Sequence, residues 1–177
     1  MDESAFARLA EQYAARLYTV AFRLLGNRAD AEEVAGDVFL VIVERRTVYD
    51  GMHKLATWLF AIARNKCVSR LRRRKPLLSL WVRSNEDEDG ELRQIADARM
   101  LQSEELVNRE VARAVQRAIE RLPLEQREAI VLRQYHEFSY DKISLILGCA
   151  VEKVKILIYR AKQWMRMELA PLMKEQR

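Results

Sequence analysis

Apolar residues return at three- and four-residue intervals along most of this chain, and only five glycines and three prolines interrupt its 177 residues. That is the helical period. Strand-like alternation is missing, so an almost wholly α-helical fold is expected. Between Ser4 and Leu25, residues Phe6, Leu9, Tyr13, Leu17, Val20, Ala21 and Leu24 fall on one stripe, which Gly26 and Asn27 bring to an end. A second helix is expected to open near Asp30, whose carboxylate and those of Glu32 and Glu33 suit a helix N-terminus, and to continue through Val34, Val38, Phe39 and Ile42. Gly36 weakens it by about 1 kcal/mol. After Tyr49-Asp50-Gly51 a third run, Thr57 to Asn65, leads into the basic stretch Arg70-Leu71-Arg72-Arg73-Arg74-Lys75 and Pro76.

Beyond Pro76 the character changes. A short apolar patch, Leu77 to Val82, gives way to Ser84-Asn85-Glu86-Asp87-Glu88-Asp89-Gly90-Glu91, which is acidic and has no periodic apolar face. Helical spacing resumes from Glu104 through Leu106, Val107, Val111, Val115 and Ile119, and Leu122-Pro123 marks a turn with proline at a first helical position. A further helix carries Ile130, Val131 and Leu132. The expected architecture is all-α: two small helical domains, 1–76 and 104–177, joined by an acidic flexible linker, 77–103, the second domain holding a helix-turn-helix.

The apolar runs are repeatedly broken by charges, so none approaches the roughly 20 residues of a membrane helix, and no membrane insertion is expected. Asp2 and Glu3 precede any apolar run, the opposite of a secretory leader's positive start, which points to a cytoplasmic protein. Cys67 and Cys149 form no CxxC pair, and a zinc site would need them to converge with His53 and His136 from far apart in the chain. Reduced thiols, no metal and no cofactor are expected. Nor is there a glycine-rich phosphate loop or a nucleophile with identifiable partners, so the chain reads as a non-enzyme.

The densest information lies between Phe138 and Trp164. Ser139 can cap a nine-residue helix ending at Leu147, and Gly148-Cys149-Ala150 separates it from another helix starting near Val151, which is helix-turn-helix spacing. In the second helix Val151, Val154, Ile158, Ala161 and Met165 should face the core, leaving Glu152, Lys155, Ile156, Tyr159, Arg160 and Gln163 outward. Lys155 and Arg160 suit phosphates or guanine edges, and Ile156 and Tyr159 suit a thymine methyl or a sugar. A helical hairpin with a solvated basic face would give the same pattern. The basic run at residues 70–75 extends a helix bearing Trp58, Phe60, Arg64 and Asn65, so one element offers aromatic faces for unstacked bases and cations such as Arg72 and Arg73 for phosphates. Charge at a helix end also serves solubility alone, and Trp58 and Phe60 also suit a core.

In series, these motifs resemble the extracytoplasmic-function sigma factors over nearly the whole chain. Leu25-Gly26-Asn27, Asp30-Ala31-Glu32-Glu33-Val34, Asp37-Val38-Phe39-Leu40 and Thr57-Trp58-Leu59-Phe60-Ala61-Ile62-Ala63-Arg64-Asn65 are similar to that family's region two. Leu122-Pro123, Gln126-Arg127, Leu132-Arg133, Phe138-Ser139-Tyr140, Ile143, Leu147-Gly148, Val154-Lys155 and Arg160-Ala161 are similar to its region four. The resemblance implies a subunit of transcription initiation whose partners are core RNA polymerase and promoter DNA. Its first domain would bind polymerase and open the minus-ten element, and its second would read the minus-thirty-five element. It further implies that Glu33, Asp37 and Phe39 dock on the polymerase clamp, and that the loop from Tyr49 to Lys54 holds a flipped base together with Phe60 and Asn65. The linker carboxylates would thread toward the nucleic-acid channel. An anti-sigma factor wedged between the domains is the implied regulator.

Some positions depart from the family pattern. Val41 stands where a cation is common, Gly36 where glutamine is usual, and Leu55 where phenylalanine is common. Glu152-Lys153 replaces a Gly-Thr pair, and Ile156-Leu157 replaces Ser-Arg, making the outward surface less cationic. Lys142 precludes a standard capping box with Ser139. These departures motivate a competing reading, a helical adaptor that binds polymerase or a regulator without reading DNA.

Overall fold

The computed structural model describes residues 3–44, 54–78 and 102–175, and within them the chain forms seven α-helices and no strand. Helices α1 (Glu3–Leu25), α2 (Arg28–Glu44) and α3 (Leu55–Leu78) form a first bundle; α4 (Gln102–Arg121), α5 (Leu124–Gln134), α6 (Tyr140–Leu147) and α7 (Val151–Glu175) form a second. The apolar stripe of α1 is buried as its spacing requires, with Leu17, Val20 and Ala21 fully inaccessible. Gly26 then enters the left-handed region, φ +69°, and its N–H donates to the Phe22 carbonyl at 2.8 Å, closing the helix.

Helix α2 starts two residues before Asp30. The side-chain oxygen of Asn27 accepts the Asp30 N–H at 2.9 Å, so Asn27 is the cap and the Asp30 carboxylate is released for another partner. Helix α3 packs against α1, α2 and α6 together, which is why its buried residues, Thr57, Leu59, Phe60, Ala63, Cys67 and Val68, do not make one narrow stripe. It runs through Pro76 to Leu78, with the proline in its last turn, where the missing N–H costs a single helical bond.

In the second bundle Pro123 is the N-cap of α5 rather than its first helical residue. Glu137, with φ +54°, turns the chain from α5 into α6. Ser139 caps α6 by accepting the Lys142 N–H at 3.3 Å, and Gly148, φ 66° and ψ 41°, ends that helix in the left-handed conformation. The helix is eight residues long, Tyr140 to Leu147, one fewer than its spacing suggests. With lysine at the third helical position only the serine half of a capping box forms.

The two bundles are packed together. Helix α1 lies against α4 and α5, and α3 against α6, so a single buried cluster runs from Leu17 and Phe60 of the first bundle to Val131, Phe138 and Ile143 of the second.

Candidate nucleic-acid interface

The helix-turn-helix is built as its sequence suggests. A capped α6 and a left-handed glycine set the turn into α7, where Val154, Ile158 and Ala161 are buried. Lys155, Ile156, Tyr159 and Arg160 are all exposed on the other side, Ile156 at 51% and Tyr159 at 64%. Leu157 differs from expectation: it is 7% exposed and belongs to the core, so the loss of a cation there does not alter the outward surface. Lys153 is bonded to Glu125 of α5 at 2.7 Å, fastening the start of α7.

The basic stretch at the end of α3 divides in two. Arg72 and Arg73 are exposed. Arg70 is turned onto α2, where it meets Asp30 at 3.2 Å, Glu33 at 2.5 Å and Asp37 at 3.8 Å. Lys66 adds a 3.2 Å bond to Asp37. Hydrogen bonding to Arg70 holds the Glu33 carboxyl below its usual range and raises the Arg70 pKa in return. The two carboxylates expected to meet polymerase are therefore already engaged by cations of the same bundle, although Glu33 stays largely exposed. Phe39 is half-buried, edge-on to Phe6 at 6.0 Å. Between α2 and α3 lies an open groove of about 670 Å³, in which Val41 and Ile62 adjoin this charged cluster.

Phe60 and Asn65, expected to act together, sit on different sides of α3. Asn65 is exposed and accepts a bond from Arg64 at 3.1 Å. Phe60 is fully buried, 4.8 Å from Phe138 and 4.7 Å from His136 in edge-to-face contacts, with the Arg16 guanidinium 5.4 Å from its ring centre. In this closed arrangement Phe60 is inaccessible to a base. Tyr49 and the rest of its loop to residue 53 lie outside the described residues, as do the linker carboxylates.

Sequence reasoning missed the contacts between the bundles. Glu128 of α5, 1% exposed, takes two bonds from Arg64, Nε to Oε1 at 2.8 Å and Nη2 to Oε2 at 3.1 Å. Arg23 donates to Gln116 at 2.9 Å and stacks over Tyr135 at 4.4 Å. One signal was available: Glu128 precedes Val131 by three and Leu132 by four, which puts a carboxylate on the apolar side of α5.

Among the described residues no cluster of histidine, cysteine and carboxylate side chains could hold a metal ion, and no helix is long and apolar enough to cross a membrane. Both cysteines are free, and burial pushes the Cys67 thiol up to about 12.

Comparison with known proteins matches residues 9–76 to the family model for sigma-70 region 2 and residues 112–165 to that for sigma-70 region 4. The ECF RNA polymerase sigma factor SigW of Bacillus subtilis is 32% identical over 173 residues, covering 97% of this chain and 92% of the relative. The RNA polymerase sigma-H factor of Pseudomonas aeruginosa is 27% identical, covering 98% and 91%. Among solved structures, the sigma factor RpoE of Bartonella quintana, in complex with the anti-sigma factor NepR, superposes with a TM-score of 0.73 at 23% identity, over 94% of this chain and 97% of that one.

Proposed function

The chain belongs to the extracytoplasmic-function RNA polymerase sigma factors, transcription initiation factors that bind core polymerase and direct it to specific promoters, and from that premise we propose how its residues divide the work. The observation that carries the assignment is the two-sided character of α7: Lys155, Ile156, Tyr159 and Arg160 are exposed opposite a buried apolar side, directly after a capped helix and a left-handed turn. This face enters the major groove of the minus-thirty-five element. Lys155 and Arg160 fix the register on phosphates or guanine edges, and Ile156 and Tyr159 contact thymine methyls or sugars.

The first unit, 1–76, binds polymerase through Glu33, Asp37 and Phe39 on α2. It also opens the minus-ten element, with Arg72 and Arg73 on the backbone and Tyr49, Phe60 and Asn65 around an extruded base. The pairing of Glu33 and Asp37 with Arg70 and Lys66 supports a docking surface whose carboxylates are already oriented before a basic partner arrives. Melting costs on the order of 1 to 2 kcal/mol of stacking per base step, which protein–DNA contacts must offset. The segment 77–103 serves as the acidic connector, and 104–177 as the promoter-reading unit. We assign the chain no catalytic step of its own, a cytoplasmic site of action, and an anti-sigma factor as regulator, by analogy with the complex of the Bartonella RpoE with NepR.

The test is co-purification with bacterial core polymerase, followed by transcription from a promoter library with and without the chain. A defined set of new start sites that is lost in a K155A/R160A variant is the expected result. Initiation undiminished by that double substitution would remove the recognition-helix assignment.

A further inference from the structure

We propose that Glu152 of α7 determines sequence at one position of the minus-thirty-five element, its carboxylate accepting from the exocyclic amino group of a cytosine in the major groove. The inference rests on the reading of α7 as the recognition helix and deepens it.

Val154, Leu157, Ile158 and Ala161 are buried, and together they fix which way α7 is turned. At roughly 100° per residue, Glu152, Ile156 and Tyr159 fall within about 30° of the direction opposite that core, with Lys155 and Arg160 about 70° to either side. All five are exposed. A helix laid in the major groove turns its outer midline to the base edges and its flanks to the phosphate walls. Glu152 therefore points at bases, and the two cations point at the backbone. It is also the second residue of α7, at the end of the helix from which this motif makes its base contacts.

The backbone that carries Glu152 is set before DNA is met. The Cys149 N–H donates to the Ser144 carbonyl at 3.1 Å, and the Val154 N–H to the Ala150 carbonyl at 3.2 Å, so the turn and the first turn of α7 are both formed. The adjacent cation, Lys153, is drawn to Glu125 of α5 at 2.7 Å and is engaged elsewhere. Among the described residues no side chain pairs with the Glu152 carboxylate.

A carboxylate in the groove is repelled by phosphates, so it weakens binding wherever no base offers it a donor. Guanine presents two acceptors there, and thymine an acceptor and a methyl group. Adenine presents its amino group beside an acceptor nitrogen, which a carboxylate would also meet. Cytosine presents an amino group with no acceptor on the same edge, and is the base Glu152 selects.

The test uses holoenzyme reconstituted from core polymerase and the full chain, against promoters in which each minus-thirty-five position carries all four bases in turn. Glu152 is exposed, so E152A and E152Q should keep the wild-type helicity. The wild type should prefer cytosine at one position of one strand by about tenfold. E152A should lose that preference at that position alone, and E152Q should transfer it to adenine, whose amino group and acceptor nitrogen fit an amide. A wild type without a cytosine preference that E152A removes would overturn the proposal. So would variants that bind every promoter more tightly by one common factor, because the carboxylate would then act on phosphates alone. Base selection that K155A/R160A disturbs and the Glu152 variants do not would sink this assignment while leaving α7 as the recognition helix. Selection indifferent to all three variants would remove the recognition-helix reading and this assignment with it.

Discussion

Arg127 of α5 donates from Nη1 to the main-chain carbonyl oxygen of Leu24 at 2.9 Å, so the last turn of α1 is capped by a residue 103 positions further along the chain. A helix C-terminus leaves its final carbonyls without helical donors, and Gly26 supplies only the bond to Phe22. The same guanidinium bonds the carbonyls of Glu120 and Leu122, gathering the end of α4, the start of α5 and the end of α1 at one point. R127A leaves all three carbonyls without this donor. It is expected to cost about 2 kcal/mol, read as a thermal midpoint lower by ~5 °C. R127K keeps the charge but lacks the planar fork, and should recover less than half of the loss in the same calorimetric scan.

His136 sets how the closed chain responds to acid. Burial beside Phe60 and Phe138, with Arg16 adding repulsion, pushes its pKa down from 6.5 to about 4. An opened or unfolded chain takes up a proton near 6.5, whereas the closed chain takes it up only near 4. The unfolded state therefore binds more protons throughout that interval, and the contribution of His136 is fully present above about 6.5 and lost as pH falls toward 4. The whole effect is worth up to ~3 kcal/mol. Glu128 works in the opposite sense, because its raised pKa favours the closed chain as its charge is relieved on acidification. The measurement that separates them is urea unfolding of wild type and H136F at a series of pH values. The stability difference between the two should widen steadily as pH falls from 7 to 4; a constant difference would show that the imidazole is not titrating in the seam.

The helices were legible because each bundle buries one face and the apolar spacing records it. Leu17, Val20 and Leu24 in α1, and Val154, Ile158 and Ala161 in α7, are buried where their three- and four-residue steps put them. The helix-turn-helix was legible for a different reason, since Ser139 and Gly148 do local backbone jobs that need no partner from elsewhere. What could not be read was anything set by the packing of one helix upon another distant in sequence. Phe60 reads equally well as a stacking platform or as core, and Arg70 as one cation in a run of cations; only the approach of α6 in one case and α2 in the other decides. Leu157 was misassigned because the outward arc of α7 is narrower than an isolated helix suggests, α5 and α6 both packing against it.

On α7 the cations and the apolar residues should fail differently. K155A and R160A each remove a charge from the exposed face and should weaken binding of polymerase holoenzyme to promoters of any sequence, lowering the slope of log affinity against log salt by about 1 per residue. I156S and Y159S leave that slope unchanged. They should instead reduce discrimination at one minus-thirty-five position each, by about 1 to 3 kcal/mol between the preferred base and its competitors. Competition assays across single-base promoter variants at two salt concentrations distinguish the two patterns.

Within the basic end of α3, neighbouring arginines should give opposite phenotypes. Arg70 is 21% exposed and lies among Asp30, Glu33 and Asp37, so R70A leaves three carboxylates close together without the cation they share. Like charges at that range repel, and the ion pairs are partly solvent-screened, so the expected loss is about 1 kcal/mol of stability. Arg72 and Arg73 are exposed, and R72A/R73A should stay within about 0.5 kcal/mol of wild type in chemical denaturation. That double variant should nevertheless form open complexes several-fold more slowly, with the defect shrinking as salt rises, because the lost groups would hold the backbone of opened DNA. Permanganate footprinting of the minus-ten element, run beside the denaturation curves, tests both halves. If R72A/R73A melts promoters at the wild-type rate, the exposed pair only solvates the end of α3, and the cations that hold the opened strand must be sought on another element.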